Sequence, residues 1–418
     1  MLMMEDSPTA NDTITLCISG GGYRAAAFHL GALRRLHEIG LLGRIRRISS
    51  VSGGSILSAH LAQCMVEFNT DSLSFTNWNE QVANPFRKRI LSKDIRTQPF
   101  LKQWTLPWNW FRAGPAVSAL EGQYYRHLTR LLLHELPDSV RFTFCSTDLL
   151  YGVNWTFERD RIGDYKSRRF ASPKDFTVAK AVAASSCFPP VFLPMKMKLN
   201  RTQRAKTGLP KVIHLSDGGV YDNLGVQPVW RKNPVLLVSD GGSPFTFEPG
   251  SNPLMRLKRY IAISTNQGLS LRWRWLIARF KDDNDITGTS WRIGSWHGKY
   301  SGAVAGGYTK DFSRNVIAKI RTDMNAFSSQ EIDVLENHGY LMTDAAVRTN
   351  MIKWLPEDTK DTRVPNPELM DESKAKKYLS RSGSRRPVRS MLHFFIHPLE
   401  PFRPRLSKNS NNDRNGNI

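Results

Sequence analysis

The first 68 residues repeat one pattern twice: a short apolar run, a small-residue turn, and a stretch with helical spacing of apolar residues. Residues 13–19 form the first run and end at Gly20-Gly21-Gly22, and residues 45–51 form the second and end at Ser52-Gly53-Gly54. After each turn, apolar residues recur three and four positions apart, which is the spacing of one helix face. A repeated strand–turn–helix unit is the opening of a parallel sheet with helices packed on it. The sequence therefore predicts an α/β fold.

Residues beyond this opening continue the α/β pattern with one interruption. Further short apolar runs predict strands in four places: 141–144, 154–157, 212–215 and 234–239. Residues 69–135 instead hold four tryptophans among scattered proline and arginine, which predicts helices and loops inserted in the sheet. We therefore expect an N-terminal tail over 1–12, one large domain over 13–370, and a basic, disordered C-terminal tail over 371–418.

The chain is strongly basic, and its surplus charge is concentrated. Its 418 residues hold 59 Lys and Arg against 37 Asp and Glu, a formal net charge of +22. Residues 85–115, 254–281 and 371–418 carry +6, +7 and +7 of it, so the remaining chain is nearly neutral. A charge of this size first suggests nucleic acid or an anionic membrane as a partner.

Two of these basic blocks, 85–115 and 254–281, are also rich in aromatic residues. Tryptophan interleaved with Lys and Arg is the composition of a segment lying at a membrane interface. The other interpretation is an amphipathic helix whose aromatic side chains pack on the sheet while its arginines are solvated. We expect peripheral contact with an anionic membrane and no nucleic-acid partner, and the oligomeric state is left open.

Composition also disfavours several classes of protein. No stretch of about 18 apolar residues occurs, so no membrane-spanning helix is expected. Residues 1–13 contain Glu5 and Asp6 and no apolar run, unlike a secretory signal. The four cysteines are far apart, which is typical neither of a zinc site nor of a disulfide scaffold and favours a reducing compartment. We expect a cytoplasmic protein, associated with membranes where its basic surface meets lipid, with no metal and no cofactor.

Ser52 lies at a position that suits a nucleophilic serine. It occupies the turn between a predicted strand and a predicted helix, in the sequence Ser50-Val51-Ser52-Gly53-Gly54. A sharp turn of this kind lifts the hydroxyl clear of the sheet, and small residues two positions either side let the chain pass closely. The usual pattern is G-x-S-x-G, and Ser50 replaces its first glycine. The other interpretation is an ordinary Ser/Gly turn that enters a helix.

The first turn, Gly20-Gly21-Gly22-Tyr23-Arg24, is a candidate anion-binding loop. Consecutive glycines expose backbone N–H groups that can hold an oxyanion or a phosphate, and Arg24 adds a positive charge nearby. A dinucleotide-binding loop is the alternative, because the glycines loosely fit G-x-G-x-x-A. That alternative requires an acidic residue at the end of the second strand, which instead ends in Ser49-Ser50-Val51-Ser52. The sequence therefore disfavours a dinucleotide site.

Asp217, in Asp217-Gly218-Gly219, follows a predicted strand and is a candidate general base for Ser52. A second Asp-Gly-Gly at 240–242 competes for this role, and a plain Asp-Gly turn is the alternative for both. A Ser–Asp–His order would need a histidine after Asp217. The histidines after Asp217 that would complete such a triad are His297, His338, His393 and His397. They lie outside the glycine-rich loops, so the sequence offers no convincing imidazole base.

Four motifs in this order resemble the patatin-like phospholipase family, in its bacterial form. They are the glycine loop at 20–24, Ser52 in Ser-Val-Ser-Gly-Gly-Ser, Ala-Ser-Ser-Cys-Phe-Pro-Pro at 184–190, and Asp217-Gly-Gly-Val-Tyr-Asp-Asn-Leu-Gly. The likeness is firm over residues 13–245 and continues weakly through Asn337-His338-Gly339-Tyr340. Ser50 departs from the family pattern, and its hydroxymethyl group is expected to crowd the turn slightly and lower activity.

The resemblance implies a three-layer α/β/α fold with a mainly parallel central sheet and a Ser–Asp dyad without histidine. Carried over residue by residue, Ser52 is the nucleophile, Asp217 activates it in preference to Asp240, and the amides of Gly20–Gly22 form the oxyanion hole, supported by Arg24. The implied activity is that of a phospholipase A or lysophospholipase, a carboxylic ester hydrolase acting on (lyso)phospholipids or acylglycerols through an acyl-enzyme. The alternative is a catalytically weak or inactive basic protein on the same scaffold that binds a membrane or nucleic acid.

Overall fold

The computed structural model describes most of the chain between residues 13 and 380: 13–104, 108, 114–167, 169–189, 192–230, 235–242, 244, 253–282, 286–304, 306–357 and 359–380. The strands within these residues are β1 (Ile14–Ile18), β2 (Ile45–Val51), β3 (Arg141–Asp148), β4 (Val153–Phe157), β5 (Arg161–Gly163), β6 (Phe170–Ala171), β7 (Met195–Lys198), β8 (Val212–Asp217), β9 (Val235–Asp240) and β10 (Thr287–Arg292). The helices are α1 (Gly22–Glu38), α2 (Gly53–Glu67), α3 (Asn84–Phe86), α4 (Thr97–Trp104), α5 (Pro115–His127), α6 (Val178–Ser185), α7 (Arg201–Thr207), α8 (Gly219–Asp222), α9 (Pro253–Asp282), α10 (Lys310–Asn315), α11 (Ser329–Asn350) and α12 (Glu372–Leu379).

All ten strands join one mixed sheet. Its parallel half has the order β10-β9-β1-β2-β3, and β4, β5 and β6 continue from β3 as antiparallel neighbours. Strand β8 pairs antiparallel with β3 and is itself paired with β7. The predicted strands correspond to β1, β2, β3, β4, β8 and β9, so these predictions are confirmed.

Both faces of the sheet are covered, as alternation along β1 shows. Leu16 and Ile18 belong to the larger hydrophobic core with α1, α2, α6 and α11, whereas Cys17 lies on the other face with Trp273 and Leu276 of α9. Successive side chains of a strand point to opposite faces, so the sheet is the middle of three layers. The predicted three-layer α/β/α fold is confirmed.

Helix α11 packs closely along α1, the helix that follows the glycine loop. A Cβ added at Gly31 would lie 1.9 Å from the Glu336 carbonyl oxygen, and one at Gly339 would lie 1.9 Å from that of Phe28, so both contacts require glycine. Buried ion pairs join the same two helices, including Arg35 with Asp344 at 2.7 Å. This packing fixes the position of α1, the helix that begins at the glycine loop.

The predicted insertion is helical, with α3 flanked by the π-helical segments Asn79–Ala83 and Arg87–Leu91 and followed by α4 and α5. The first residues of the predicted C-terminal tail, 371–380, contain helix α12, whose Ala375 and Leu379 belong to the larger core. The rest of that tail, 381–418, and the N-terminal tail, 1–12, lie outside the described residues. No helix in the described part of the chain is both long and apolar enough to cross a bilayer.

Candidate active site

Ser52 is held in a strained turn between β2 and α2. Its backbone has φ +48° and ψ −114°, a conformation that side chains other than glycine rarely adopt. Strain of this kind, of order 1–3 kcal/mol, is typical of functional positions and is maintained by the surrounding packing. The side chain is 9% exposed, and α2 begins at the next residue, so the positive end of its dipole lies at the serine.

The register of β3 brings Asp217 to Ser52. Val51, the last residue of β2, pairs with Cys145, and Asp217, the last residue of the oppositely running β8, pairs with the neighbouring Ser146. Because β4 occupies the other edge of this part of β3, β2 and β8 must share one edge and meet end to end. Consecutive strand residues are about 3.3 Å apart, so the residues ending β2 and β8 lie side by side. The structure therefore brings these two sequence-predicted residues together.

The Asp217 carboxyl is buried and has one oxygen available for a proton. Oδ1 accepts the Gly219 N–H at 2.7 Å, whereas Oδ2 has no partner of ordinary hydrogen-bond geometry among the described residues. Burial raises the pKa of Asp217 to about 7, against the lowering effects of the Gly219 N–H and the Ser52 hydroxyl. Such a carboxyl exists in both protonation states near neutral pH, which suits a group that takes up and returns a proton.

Three further serine side chains form a hydrogen-bond network that supports the turn at Ser52. The sequence did not predict this network. Ser185 Oγ accepts the Ser52 backbone N–H at 3.0 Å and donates to the Cys145 carbonyl oxygen at 2.5 Å. Ser55 Oγ lies 2.9 Å from Ser185 Oγ and donates to Ser50 Oγ at 3.2 Å. The only available signal was Ser185's place in the Ala-Ser-Ser-Cys-Phe-Pro-Pro motif.

Ser50, the departure from the family pattern, belongs to the same network. Its hydroxyl donates to the Thr143 carbonyl oxygen of β3 at 3.2 Å and accepts the Ser55 hydroxyl. The side chain is fully buried with both of these partners in place. Ser50 thus ties β2 to β3 and α2 beneath the turn, and whether it lowers activity remains a prediction.

Replacing Ser185 with alanine is expected to lower kcat about ten-fold with little change in KM, because the Ser52 N–H loses its acceptor and the nucleophile is less well fixed. The neighbouring Ser186→Ala variant is the matched control, since the Ser186 hydroxyl bonds Val182 and Tyr124 and not the turn. Steady-state kinetics on a soluble ester checks this, with melting temperatures measured alongside. Equal losses of kcat in the two variants would show that Ser185 has no special role.

The glycine loop passes next to Ser52, and its shape requires glycine. Gly21 and Gly22 have φ of +139° and +59°. A Cβ at Gly22 would lie 1.6 Å from the Thr322 carbonyl oxygen, and one at Gly20 would lie 3.1 Å from the Ser52 Cβ. The Gly20 N–H already donates to the Asn223 carbonyl oxygen at 3.1 Å. The N–H groups of Gly21 and Gly22 bond no other described residue, so these two are the better candidates for an oxyanion hole.

Arg24 holds the segments that surround this loop. Its guanidinium is buried and donates to three carbonyl oxygens, those of Ala318 at 2.8 Å, Ile320 at 3.0 Å and Gly241 at 3.1 Å. Burial lowers the pKa of Arg24 to about 10, partly offset by Asp240, so it stays protonated at neutral pH. Its contacts fit a role in supporting the loop.

The competing carboxylate, Asp240, is occupied elsewhere. Its Oδ1 accepts the Gly242 N–H at 2.8 Å, and its Oδ2 accepts the Trp273 indole N–H at 3.2 Å and lies 3.5 Å from Arg292 Nε. It ends β9, which β1 separates from β2. Asp240 therefore joins β9 to α9 and β10 on the far side of the glycine loop.

The buried histidines serve packing. His29, His60 and His338 are each bonded to a backbone carbonyl oxygen, and burial lowers the pKa of each to about 4. In the described part of the chain, no histidine hydrogen-bonds Ser52 or Asp217. The same residues contain no group of three or more His, Cys, Asp or Glu side chains that could hold a metal ion.

Both basic-aromatic stretches contain residues that pack against the rest of the fold. In 85–115, Phe86 is buried and Arg87 pairs with Asp333 and Glu336 of α11, while Trp110 and Phe111 lie outside the described residues. In α9, Trp273 is buried, and Trp275 meets Trp230 with ring centroids 5.0 Å apart. The tryptophans of α9 thus follow the packed amphipathic-helix interpretation.

Comparison with known proteins decides the family. The sequence model of the patatin-like phospholipases matches residues 16–230, more than half of the chain. The chain belongs to the patatin-like phospholipase family. The glycine loop, Ser52 and Asp217 all lie within this family match, whereas α9, α11 and α12 lie outside it.

Among solved structures, human GIVD cytosolic phospholipase A2 matches with a TM-score of 0.48 at 10% identity, over 89% of this chain and 63% of that chain. Its complex with methyl gamma-linolenyl fluorophosphonate matches with a TM-score of 0.47 at 11% identity, over 91% and 62%. VipD from Legionella pneumophila matches with a TM-score of 0.35 at 11% identity, over 93% and 76%. The chain thus spans about three fifths of the human enzyme's length, and no curated protein matches it in sequence.

Proposed function

We propose that this member of the patatin-like phospholipase family is a serine-dependent lipid acyl hydrolase that uses Ser52 and Asp217 as a dyad. One observation carries the proposal. Ser52, in a strained turn, lies beside the buried Asp217 carboxyl, whose Oδ2 has no other described partner of ordinary hydrogen-bond geometry. A nucleophile and a base in this arrangement are the minimum that acyl transfer through a covalent intermediate needs.

The mechanism follows from these positions. Asp217 takes the Ser52 proton as the hydroxyl attacks an ester carbonyl. The amides of Gly21 and Gly22 and the N-terminus of α2 stabilise the oxyanion. Protonated Asp217 then returns the proton to the leaving alcohol, which departs and leaves an acyl-serine ester. Asp217 next takes a proton from water as the water attacks this ester, and the fatty acid leaves as Ser52 regains its proton.

The proposed substrates are carboxylic esters of (lyso)phospholipids or acylglycerols. Family membership supports this class, and so do two exposed apolar side chains near Asp217: Phe188, 55% exposed, and Val220, 39% exposed. The backbone N–H of Asp217 donates to the Cys187 carbonyl oxygen, which places Phe188 next to the base. Apolar groups beside the dyad favour an acyl chain over a polar substrate.

Hydrolysis of a short-chain p-nitrophenyl ester by wild type, beside Ser52→Ala, tests the proposal. Activity that disappears in the variant supports it. Equal, negligible rates for both proteins would overturn it in favour of an inactive binding protein on the same scaffold. Binding of the inactive protein to anionic vesicles or to nucleic acid would then identify which partner that scaffold serves.

The pH dependence of hydrolysis should follow the Asp217 carboxyl. A general base acts only when deprotonated, so kcat/KM should fall about ten-fold per pH unit below the Asp217 pKa of about 7 and level off above it. A pH–rate profile on a soluble, non-ionising ester measures this. A profile that stays flat from about pH 5 to pH 8 would contradict the assignment of the base.

A further inference from the structure

The first half of α9 projects past the edge of the sheet at which β1, β2 and β9 end, here called the carboxyl edge. The Trp273 indole N–H donates to Asp240, the last residue of β9, so Trp273 is level with that edge. From there the helix runs back along the sheet to β10. Packing against the core on this face of the sheet begins at Leu269, so residues 253–268 extend beyond the sheet, over about 24 Å of helix. Exposed apolar side chains on this half include Tyr260 at 64% and Ile263 at 44%.

The turn between β3 and β4 lies at the same edge and exposes three consecutive apolar residues: Leu149 (46%), Leu150 (49%) and Tyr151 (40%). The Asp148 carboxylate accepts the N–H groups of Leu150 and Tyr151, which holds the turn in shape. Runs of exposed apolar residues are uncommon on soluble proteins unless they serve an interaction. The turn is therefore a candidate contact point.

Two cation–aromatic contacts lie on this side of the molecule, one at the turn and one at α9. Lys166 Nζ lies 5.8 Å from the centre of the Tyr151 ring, and the preceding residue, Tyr165, is 64% exposed. The Arg272 guanidinium of α9 lies 5.1 Å from the centre of the Tyr221 ring. We call this surface, made of 149–151, 165–166, Tyr221 and the described side chains of 253–272, the carboxyl-edge rim.

The rim lies beside the dyad. Tyr221 follows Asp217 by four residues, and its N–H donates to Thr147 Oγ1 on β3, one residue beyond the Ser146 that pairs with Asp217. Ser52 and Asp217 are themselves 9% and 2% exposed, so an ester must be brought down to them from the surface. A rim that binds the lipid surface containing the ester would bring the ester to the dyad.

We propose that the carboxyl-edge rim docks the protein on an anionic phospholipid bilayer; this rests on the proposed function in that the bilayer holds the substrate. Aromatic and aliphatic side chains flanked by Lys and Arg insert at a lipid interface while the cations meet anionic headgroups. Residues 253–272, the part of α9 that belongs to the rim, carry four Lys and Arg and no acidic residue. The same charge disfavours a second copy of the chain as the occupant, because two basic rims repel each other.

Two double variants test the rim: Leu150→Ser with Tyr151→Ser in the turn, and Tyr260→Ser with Ile263→Ser in α9. Ile352→Ser is the matched control, because Ile352 is 68% exposed and its neighbour Trp354 packs under Arg44, at the opposite edge where β2 begins. Binding is measured by co-sedimentation with phosphatidylcholine vesicles, with and without phosphatidylglycerol, at low and high salt. Activity on a soluble p-nitrophenyl ester is measured beside it.

Wild type and Ile352→Ser should bind the anionic vesicles, weakly at high salt and weakly to pure phosphatidylcholine. Each double variant should bind about ten-fold more weakly or worse, with unchanged activity on the soluble ester. Wild-type binding by both double variants, or equal binding of wild type to neutral and anionic vesicles, would overturn the proposal. A wild-type homo-oligomer that dissociates in the double variants and not in Ile352→Ser would also overturn it, because the rim would then be a contact between copies of the chain. A wild type that binds vesicles through the rim but cleaves no ester would refute the proposed function and leave the rim standing.

Discussion

Ser52→Ala should reduce ester hydrolysis by at least about 10⁴-fold, because it removes the atom that forms the acyl-enzyme. The oxyanion donors and the buried carboxyl stay in place but have no nucleophile to assist. The fold should be retained, since alanine fits the same space and the strained backbone is held by its surroundings. Initial rates on a soluble ester, at matched concentrations of folded protein, measure the effect.

The controls for this variant come from the turn itself. Ser52→Gly removes the hydroxyl and also relieves the cost of φ +48°, so it should be as inactive as Ser52→Ala and melt at no lower temperature. Full activity in either variant would exclude Ser52 as the nucleophile. A loss of activity accompanied by loss of the folded circular-dichroism spectrum would trace the effect to unfolding and contradict the expectation of a retained fold.

Asp217→Asn should lower kcat/KM by about 10³- to 10⁴-fold at pH 8, because asparagine keeps the size of the side chain and cannot take a proton. The Gly219 N–H can still bond the amide oxygen where it now bonds Oδ1. The same change should stabilise the fold. Burial raises the Asp217 pKa from 3.8 to about 7, so charging this group costs the folded state free energy as pH rises through that interval.

The stability difference gives this variant a second, independent measurement. The free energy of unfolding of Asp217→Asn relative to wild type should increase between about pH 4 and pH 7, by up to about 4 kcal/mol, and stay constant above. Urea titrations at several pH values measure it. Asp240→Asn is the matched control: it weakens contacts to Trp273 and Arg292, so it should lower stability while kcat of the folded protein is kept. Loss of kcat in Asp240→Asn with none in Asp217→Asn would reverse the assignment of the base.

Local sequence patterns predicted the parts of the site that depend on neighbours in the chain. The turn at Ser52 follows from a strand, a small residue and a helix in succession, and the structure begins and ends β2 at the residues where the pattern places that strand. The meeting of Ser52 with Asp217 could not be predicted in the same way. It depends on β8 pairing with the same edge of β3 as β2, just beyond the end of β2. This pairing joins β3 and β8, which are about 70 residues apart in the chain.

Helix α11 and the role of Ser185 could not be predicted either, for different physical reasons. Helix α11 is buried on nearly all sides between Glu331 and Val347, so it lacks the amphipathic pattern by which a surface helix is recognised. Ser185 supports the nucleophile through one side-chain acceptor, and no spacing rule distinguishes that hydroxyl from its neighbour Ser186. For α9, composition indicated either packing on the sheet or contact with a membrane interface. In the structure, the tryptophans of α9 pack on the sheet, and the first half of the helix extends past the sheet.

The central claim, that Ser52 forms a covalent intermediate activated by Asp217, is tested most directly by labelling with an alkyl fluorophosphonate followed by mass spectrometry. The account predicts one adduct per chain, located on the peptide containing Ser52, with labelling abolished in Ser52→Ala and slowed in Asp217→Asn. Wild-type protein that hydrolyses esters while its adduct lies on another residue, or while Ser52 stays unlabelled, would contradict it.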